Sequence, residues 1–330
     1  MANVSRSQAI KLVARGIRNY ITKRPLVVAY EVTLSCNCNC RHCNLGGGLK
    51  DEKQIRPEEH GDLTRRLRPV VAIFSGVETL LRRDITDIVK AVKQSDGTPY
   101  LILVTNGVLL NETNYPQLRE AGVNQFSVSF DFPDERLDEF RRRPGLYKHL
   151  EQTLPRIAKL GFHDIIFNTT ITKANLREIL PLARKAAEWG VDISYLAYTA
   201  LRTGDDGYCL SAGEDLEILR QAINELVALK KRDNHVANSK AVLLNTLRFF
   251  EQGCMPGCRA GITFLVVTPD GGLIPCLLQR SKYATQKEMV EKFSRTNQCS
   301  SCYLSLRSYS ELSVLDQMRS IPNYIKRLFG

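Results

Sequence analysis

Four cysteines fall within eight residues in the stretch EVTLSCNCNCRHCNLGGG, which runs from Glu31 to Gly48: Cys36, Cys38, Cys40 and Cys43. Thiols this dense bind metal or do catalysis where they stay reduced. Cys36-x3-Cys40-x2-Cys43 offers three thiolates if Cys38 points away. Three ligands on a four-iron cluster leave one iron open to a substrate, which a structural metal site does not need. A zinc knuckle that staples the loop is the rival reading of the same thiols.

A second set lies in the last quarter of the chain: Cys254, Cys258, Cys276, Cys299 and Cys302. The core FLVVTPDGGLIPC reads as a hairpin, an apolar strand turning at Pro269-Asp270-Gly271-Gly272 into a short return strand. Cys258 precedes the hairpin, Cys276 ends it, and NQCSSCYLS adds Cys299 and Cys302. Thiols on a tight turn and a C-x2-C knuckle can converge on one tetrahedral site, so taken alone this set favours zinc. Cys254 is a possible replacement ligand; Cys209, alone in mid-chain, reads as a small buried hydrophobe.

The elements that must position these thiols alternate regularly. Candidate strands are PLVVAYEVTL, VVAIFS, YLILVT, QFSVSFD, DIIFNTTI and DISYLAY, separated by amphipathic segments such as DITDIVKAVKQS, NYPQLREAG and LREILPLARKAAEWG. Strands alternating with helices indicate βαβ units and a parallel sheet. Six units are too few for a closed eight-stranded barrel, so an α/β fold with a partial (β/α)6 TIM-type barrel is expected, with function at the C-terminal ends of its strands. The first cysteine loop follows the first strand and belongs to that rim. The expected organisation is an amphipathic helix over 1–25, the partial barrel over 26–235 and a small cysteine-rich hairpin and helix extension over 236–330.

The motifs resemble those of the radical S-adenosylmethionine (SAM) enzymes. CNCNCRHC after a first barrel strand is similar to their CxxxCxxC loop, with His42 where that family usually has an aromatic residue. The resemblance implies a [4Fe–4S] cluster on Cys36, Cys40 and Cys43, SAM chelating its fourth iron, and Cys38 a bystander. It also implies reductive cleavage of SAM to methionine and a 5′-deoxyadenosyl radical. FSGVETLL stands where the family has Gly-Gly-Glu-Pro, so Gly76 and Glu78 match while Val77 and Thr79 depart. Asn106 in the third strand's TNG, Ser129 and Asp131 in SVSFD, and Asn168 in FNTTI are similar to groups that meet SAM. The resemblance covers residues 26–200, five strand ends in the family's order. The later cysteines resemble the Twitch and SPASM extensions, which implies a second, auxiliary [4Fe–4S] cluster on Cys258, Cys276, Cys299 and Cys302. Ser305, Arg307 and Ser308 stand where full SPASM domains carry further cysteines, so the shorter Twitch form fits. A flavodoxin- or ferredoxin-type electron donor is implied as well.

Composition narrows the rest. A chain of 330 residues with 25% charged residues suits a soluble domain with a sizeable core. No apolar run approaches the roughly 20 residues of a membrane span, and no secretory signal precedes the first strand, so a cytoplasmic protein is expected. The formal charge of +11 suits an anionic substrate as well as a plain basic surface. The first helix puts Ile10, Val13, Ile17, Tyr20 and Ile21 on one face, and the tail pairs Met318, Tyr324, Ile325, Leu328 and Phe329 with Arg319, Lys326 and Arg327. Such basic amphipathic ends can make peripheral contact with anionic membranes, though most stripes of this kind pack on the core. Only about 25 residues precede the first strand, too few for a separate leader-binding domain, so a peptide substrate is not favoured. No RNA-binding motif appears, although a zinc-stapled nucleic-acid module remains the competing class. The expected substrate is an anionic, partly apolar small molecule, a carboxylated tetrapyrrole of the chlorophyll type or an isoprenoid or lipid intermediate, oxidised for example at a ring methyl group. A sugar or aminocyclitol dehydrogenated at an alcohol carbon comes next, and peptide maturation third.

Overall fold

The computed structural model describes residues 5–95, 99–232 and 235–312. Eight strands form one sheet: β1 Val27–Glu31, β2 Val71–Ser75, β3 Tyr100–Thr105, β4 Gln125–Ser129, β5 Ile165–Ile171, β6 Asp192–Ala197, β7 Phe264–Val267 and β8 Leu273–Ile274. Their order is β6-β5-β4-β3-β2-β1-β7-β8. Neighbours from β1 to β6 pair in parallel, as a partial α/β barrel requires. The C-terminal hairpin joins the open edge: β7 runs parallel to β1 with Val27 opposite Phe264, and β8 returns antiparallel.

The α-helices among the described residues are α1 Arg6–Thr22, α2 Pro57–Leu67, α3 Ile85–Ser95, α4 Asn114–Ala121, α5 Arg136–Arg141, α6 Leu146–Ala158, α7 Ile179–Trp189, α8 Glu214–Arg232, α9 Lys240–Gln252, α10 Gln286–Met289 and α11 Ser305–Ser310. Alternate strand residues serve two cores, because successive side chains leave a strand on opposite faces. Val28, Tyr30, Ala72, Phe74, Leu101 and Leu103 join the large core under the helices. Val27, Ala29, Phe264, Val266 and Ile274 form a smaller one with Ala260 and Leu306. The C-terminal segment therefore covers the other face of the sheet at β1 and β7, where α11 lies.

Helix α1 is attached by its polar side. Asn19 Nδ2 donates to the carbonyls of Pro25 and Arg68, both at 2.8 Å, and Arg15 Nη1 reaches the Pro69 carbonyl. The apolar stripe points the other way, with Ile10 70% and Ile21 71% exposed. The packing expected of such a stripe is not what the fold does with it. The tail stripe from Met318 to Phe329 lies outside the described residues.

Candidate active site

The loop after β1 folds back on itself. Cys36 N donates to Gly48 O at 3.1 Å, Gly48 N to Cys36 O at 2.9 Å, and Gly47 N to Cys38 O at 3.0 Å. A Cβ at Gly46 would stand 2.3 Å from the Cys38 carbonyl, so the return strand can pass only as glycine. Cys36, Cys38 and Cys40 are buried together, and Cys43, Val77 and Val108 pack against them. Cys38, 2% exposed, is buried among them, its thiol close enough to Cys36 and Cys40 to shift the ionisation of both. Hydrogen bonding from Cys38 lowers Cys36 and holds Cys40 at about 6, with the Arg141 charge adding to the latter.

The strand ends supply a frame around these thiols. Glu78 is fully buried and its carboxylate accepts from Thr105 Oγ1 at 2.7 Å, Asn106 N at 2.7 Å and Leu80 N at 3.0 Å. Burial pushes its pKa up. It thus braces the end of β2 to the end of β3, and its own N–H reaches the Ser35 carbonyl at the head of the loop. Asn106 Nδ2 carries the brace to the thiols, donating to Asn37 Oδ1 at 2.7 Å and lying 3.8 Å from Cys36 Sγ. Gly76 sits where a Cβ would meet Glu31 Cγ at 2.7 Å. The close approach of β1 therefore demands glycine there.

Asp131, beyond β4, is buried in an ion pair with Arg141 and also accepts from Thr170 N. Arg141 Nη1 lies 3.7 Å from Cys40 Sγ, so one guanidinium joins Asp131 to the cysteine loop. The motifs did not reveal Arg141; it stands 101 positions from Cys40, and only the docking of α5 on the loop brings them together. That docking also stacks His42 on Phe140 with centroids 4.6 Å apart, and Arg41 N donates to the Phe140 carbonyl. Burial holds His42 at about 4, hence neutral, and it plays the part of an aromatic ring. Ser129 and Asn168 face each other across β4 and β5, half-buried.

The second thiol set also converges. Cys258, Cys276, Cys299 and Cys302 line one cavity of about 240 Å³, walled by apolar groups such as Phe264 and Leu306 and by Arg307. At roughly 30 Å³ per water, that is far more than one ion occupies. Burial pushes Cys302 up to about 12 and raises Cys258 and Cys276 too. Arg307 is buried and donates to the carbonyls of Cys302 and Pro256 and to Glu311. Cys254 is not among the lining residues, and Cys209 is half-buried with its thiol turned to Asp206. Among the described residues no three His, Cys, Asp or Glu side chains converge as ligands of a single ion. A cluster gives each thiolate its own iron and needs no such common point. Glu31, at the end of β1, links the two sites: both its oxygens accept from Arg280 Nη1, at 2.9 and 2.8 Å, four residues after Cys276.

Residues 30–186 match the family model described as the Radical SAM superfamily. That stretch of the chain is a radical SAM domain. An AdoMet-dependent heme synthase of Methanosarcina barkeri is 29% identical over 281 residues, 78% of either chain. A probable GTP 3′,8-cyclase of Methanothermobacter marburgensis is 26% identical, covering 81% of this chain and 90% of its own. The solved structure of native anSMEcpe with bound AdoMet shares the fold, with a TM-score of 0.63 at 17% identity, covering 92% of this chain and 99% of that one. A radical SAM domain implies SAM and a [4Fe–4S] cluster. The residues fit that group. Thiols are grouped at the rim, and Arg141 Nε and His42 Nδ1 are buried beside them without a hydrogen-bond partner among the described residues. Buried polar atoms left so cost stability unless a bound group meets them.

Proposed function

We propose that this radical SAM enzyme oxidatively modifies an anionic, partly apolar small molecule, with a carboxylated tetrapyrrole first in order. The observation that carries the oxidative part is the single cavity lined by Cys258, Cys276, Cys299 and Cys302. Four thiols around so large a space suit a Twitch-type auxiliary [4Fe–4S] cluster, and cluster potentials span a range wide enough for an electron sink. When bound, the first cluster and SAM supply the hard chemistry, a 5′-deoxyadenosyl radical that abstracts hydrogen.

The chain's own residues do the holding. Cys36, Cys40 and Cys43 anchor the first cluster in this reading. Asn106 orients Cys36, and Arg141 keeps a positive charge beside Cys40. Gly76, Ser129, Asp131 and Asn168 form the rim along which SAM lies. Arg280, its side chain 46% exposed and its other face fixed by buried Glu31, offers a carboxylate-binding cation where the first loop begins. A flavodoxin- or ferredoxin-type protein is the electron donor. The similarity to a protein named heme synthase supports a tetrapyrrole. A second reading, a purine nucleoside triphosphate, draws on the similarity to a protein named GTP 3′,8-cyclase and on the same cation.

The test is direct. The anaerobically reconstituted enzyme, given SAM and dithionite, is incubated separately with a propionate-bearing porphyrin, GTP, an aminocyclitol and a short peptide. The expected result is substrate-dependent 5′-deoxyadenosine and a dehydrogenated product with the porphyrin. A new product from GTP, with the porphyrin returned unchanged, would overturn the ordering.

A further inference from the structure

We propose that α1 is a docking helix for an anionic lipid surface. The helix is attached the wrong way round. An amphipathic helix on a globular protein normally buries its apolar stripe. Here the anchors are Asn19, bonded to two carbonyls, Arg15, bonded to a third, and Gly16, against Val70. The stripe is left outside, with Ile10 70%, Val13 48%, Ile17 60%, Tyr20 44% and Ile21 71% exposed. These five lie at helical spacing on one face and run from Ile10 to Ile21 along a 17-residue helix of roughly 25 Å. Contiguous apolar surface of this kind marks an interaction site.

Charge selects the partner. The sequence of α1, RSQAIKLVARGIRNYIT, contains no acidic residue. Lys11 and Arg18 are exposed along one edge of the stripe, and on the other the Arg259 guanidinium stands 5.6 Å from the Tyr20 ring. Apolar side chains between cationic edges match the boundary of an anionic membrane, where the stripe enters the acyl region and the cations meet phosphates. A second copy of the chain fits worse. Two-fold pairing of this helix with itself would set cationic edges against each other with no carboxylate of α1 to offset them. No helix among the described residues is long and apolar enough to cross a membrane, so the attachment is peripheral.

The experiment is vesicle flotation of the full-length iron-loaded protein, using phosphatidylcholine vesicles with and without phosphatidylglycerol. The wild type is expected to float with the anionic vesicles only, and less so as salt rises. Ile17→Glu with Ile21→Glu should abolish flotation. Lys11→Glu with Arg18→Glu should weaken it at least tenfold, since each surface cation contributes about fivefold. Ile10→Ser with Val13→Ser is a second apolar variant, needed if the glutamates disturb the helix. Iron content and circular dichroism of every variant should match the wild type, because the altered side chains face solvent. Equal flotation with neutral vesicles, or none with anionic ones, overturns the proposal. So does self-association abolished by the Ile17 and Ile21 changes, which would make the partner a second copy. Hydrogen exchange showing α1 protected without lipid until residues 313–330 are removed would assign the stripe to the chain's own tail and likewise overturn it.

Discussion

Arg141 sits between Asp131 and Cys40, and its buried charge favours thiolate over thiol on the loop it touches. Nothing in the spacing of the cysteines pointed to it. The thiols themselves were legible because ligand spacing is local, whereas Arg141 acts across 101 positions of sequence. Cys38 shows the same limit: the family pattern passes over it, and only the fold shows it buried together with Cys36 and Cys40. Its role can be separated from theirs by substitution. Cys40→Ala should abolish 5′-deoxyadenosine formation under dithionite, measured by chromatography, while Cys38→Ala keeps it within a few fold. If Cys38→Ala abolishes the product and Cys36→Ala does not, the ligand assignment is wrong.

Helix α2 carries a pH dependence that belongs to the element. Its His60 is buried beside the Tyr30 ring, with Nδ1 bonded to the Arg56 carbonyl at 3.1 Å. Burial holds its pKa at about 4, below the roughly 6.5 of an unfolded chain. A folded-state pKa so depressed contributes full stability above pH 6.5 and loses it as pH falls toward 4. Between pH 7 and pH 5 the loss is about 2 kcal/mol at 1.36 kcal/mol per unit. Urea unfolding of the metal-free chain at the two pH values measures it, and His60→Gln should show a smaller difference than the wild type. An equally steep loss in the variant would refute the assignment to His60. The elements themselves were largely readable. All six proposed barrel strands form, because parallel strands buried on both faces appear as short apolar runs. The direction in which α1 faces was not readable, since periodicity describes a stripe and says nothing of what lies opposite it. The edge joined by the hairpin was equally hidden: the turn at Pro269-Asp270-Gly271-Gly272 defines β7 against β8, not β7 against β1.

Across the whole molecule, β7 pairs with β1, and the Glu31–Arg280 ion pair ties the end of β1 to the segment that follows Cys276. The sequence showed two separate cysteine groups; only the fold shows that the second lines one cavity and that Cys254 stands outside it. The central claim is that these sets hold two four-iron clusters. Iron, sulfide and zinc analysis of the anaerobically purified and reconstituted protein tests it most directly. The wild type should contain about eight irons, about eight sulfides and little zinc, and the variant with Cys258, Cys276, Cys299 and Cys302 all replaced by alanine should retain about half the iron. Stoichiometric zinc in the wild type, or an iron content that the quadruple replacement leaves unchanged, would contradict it.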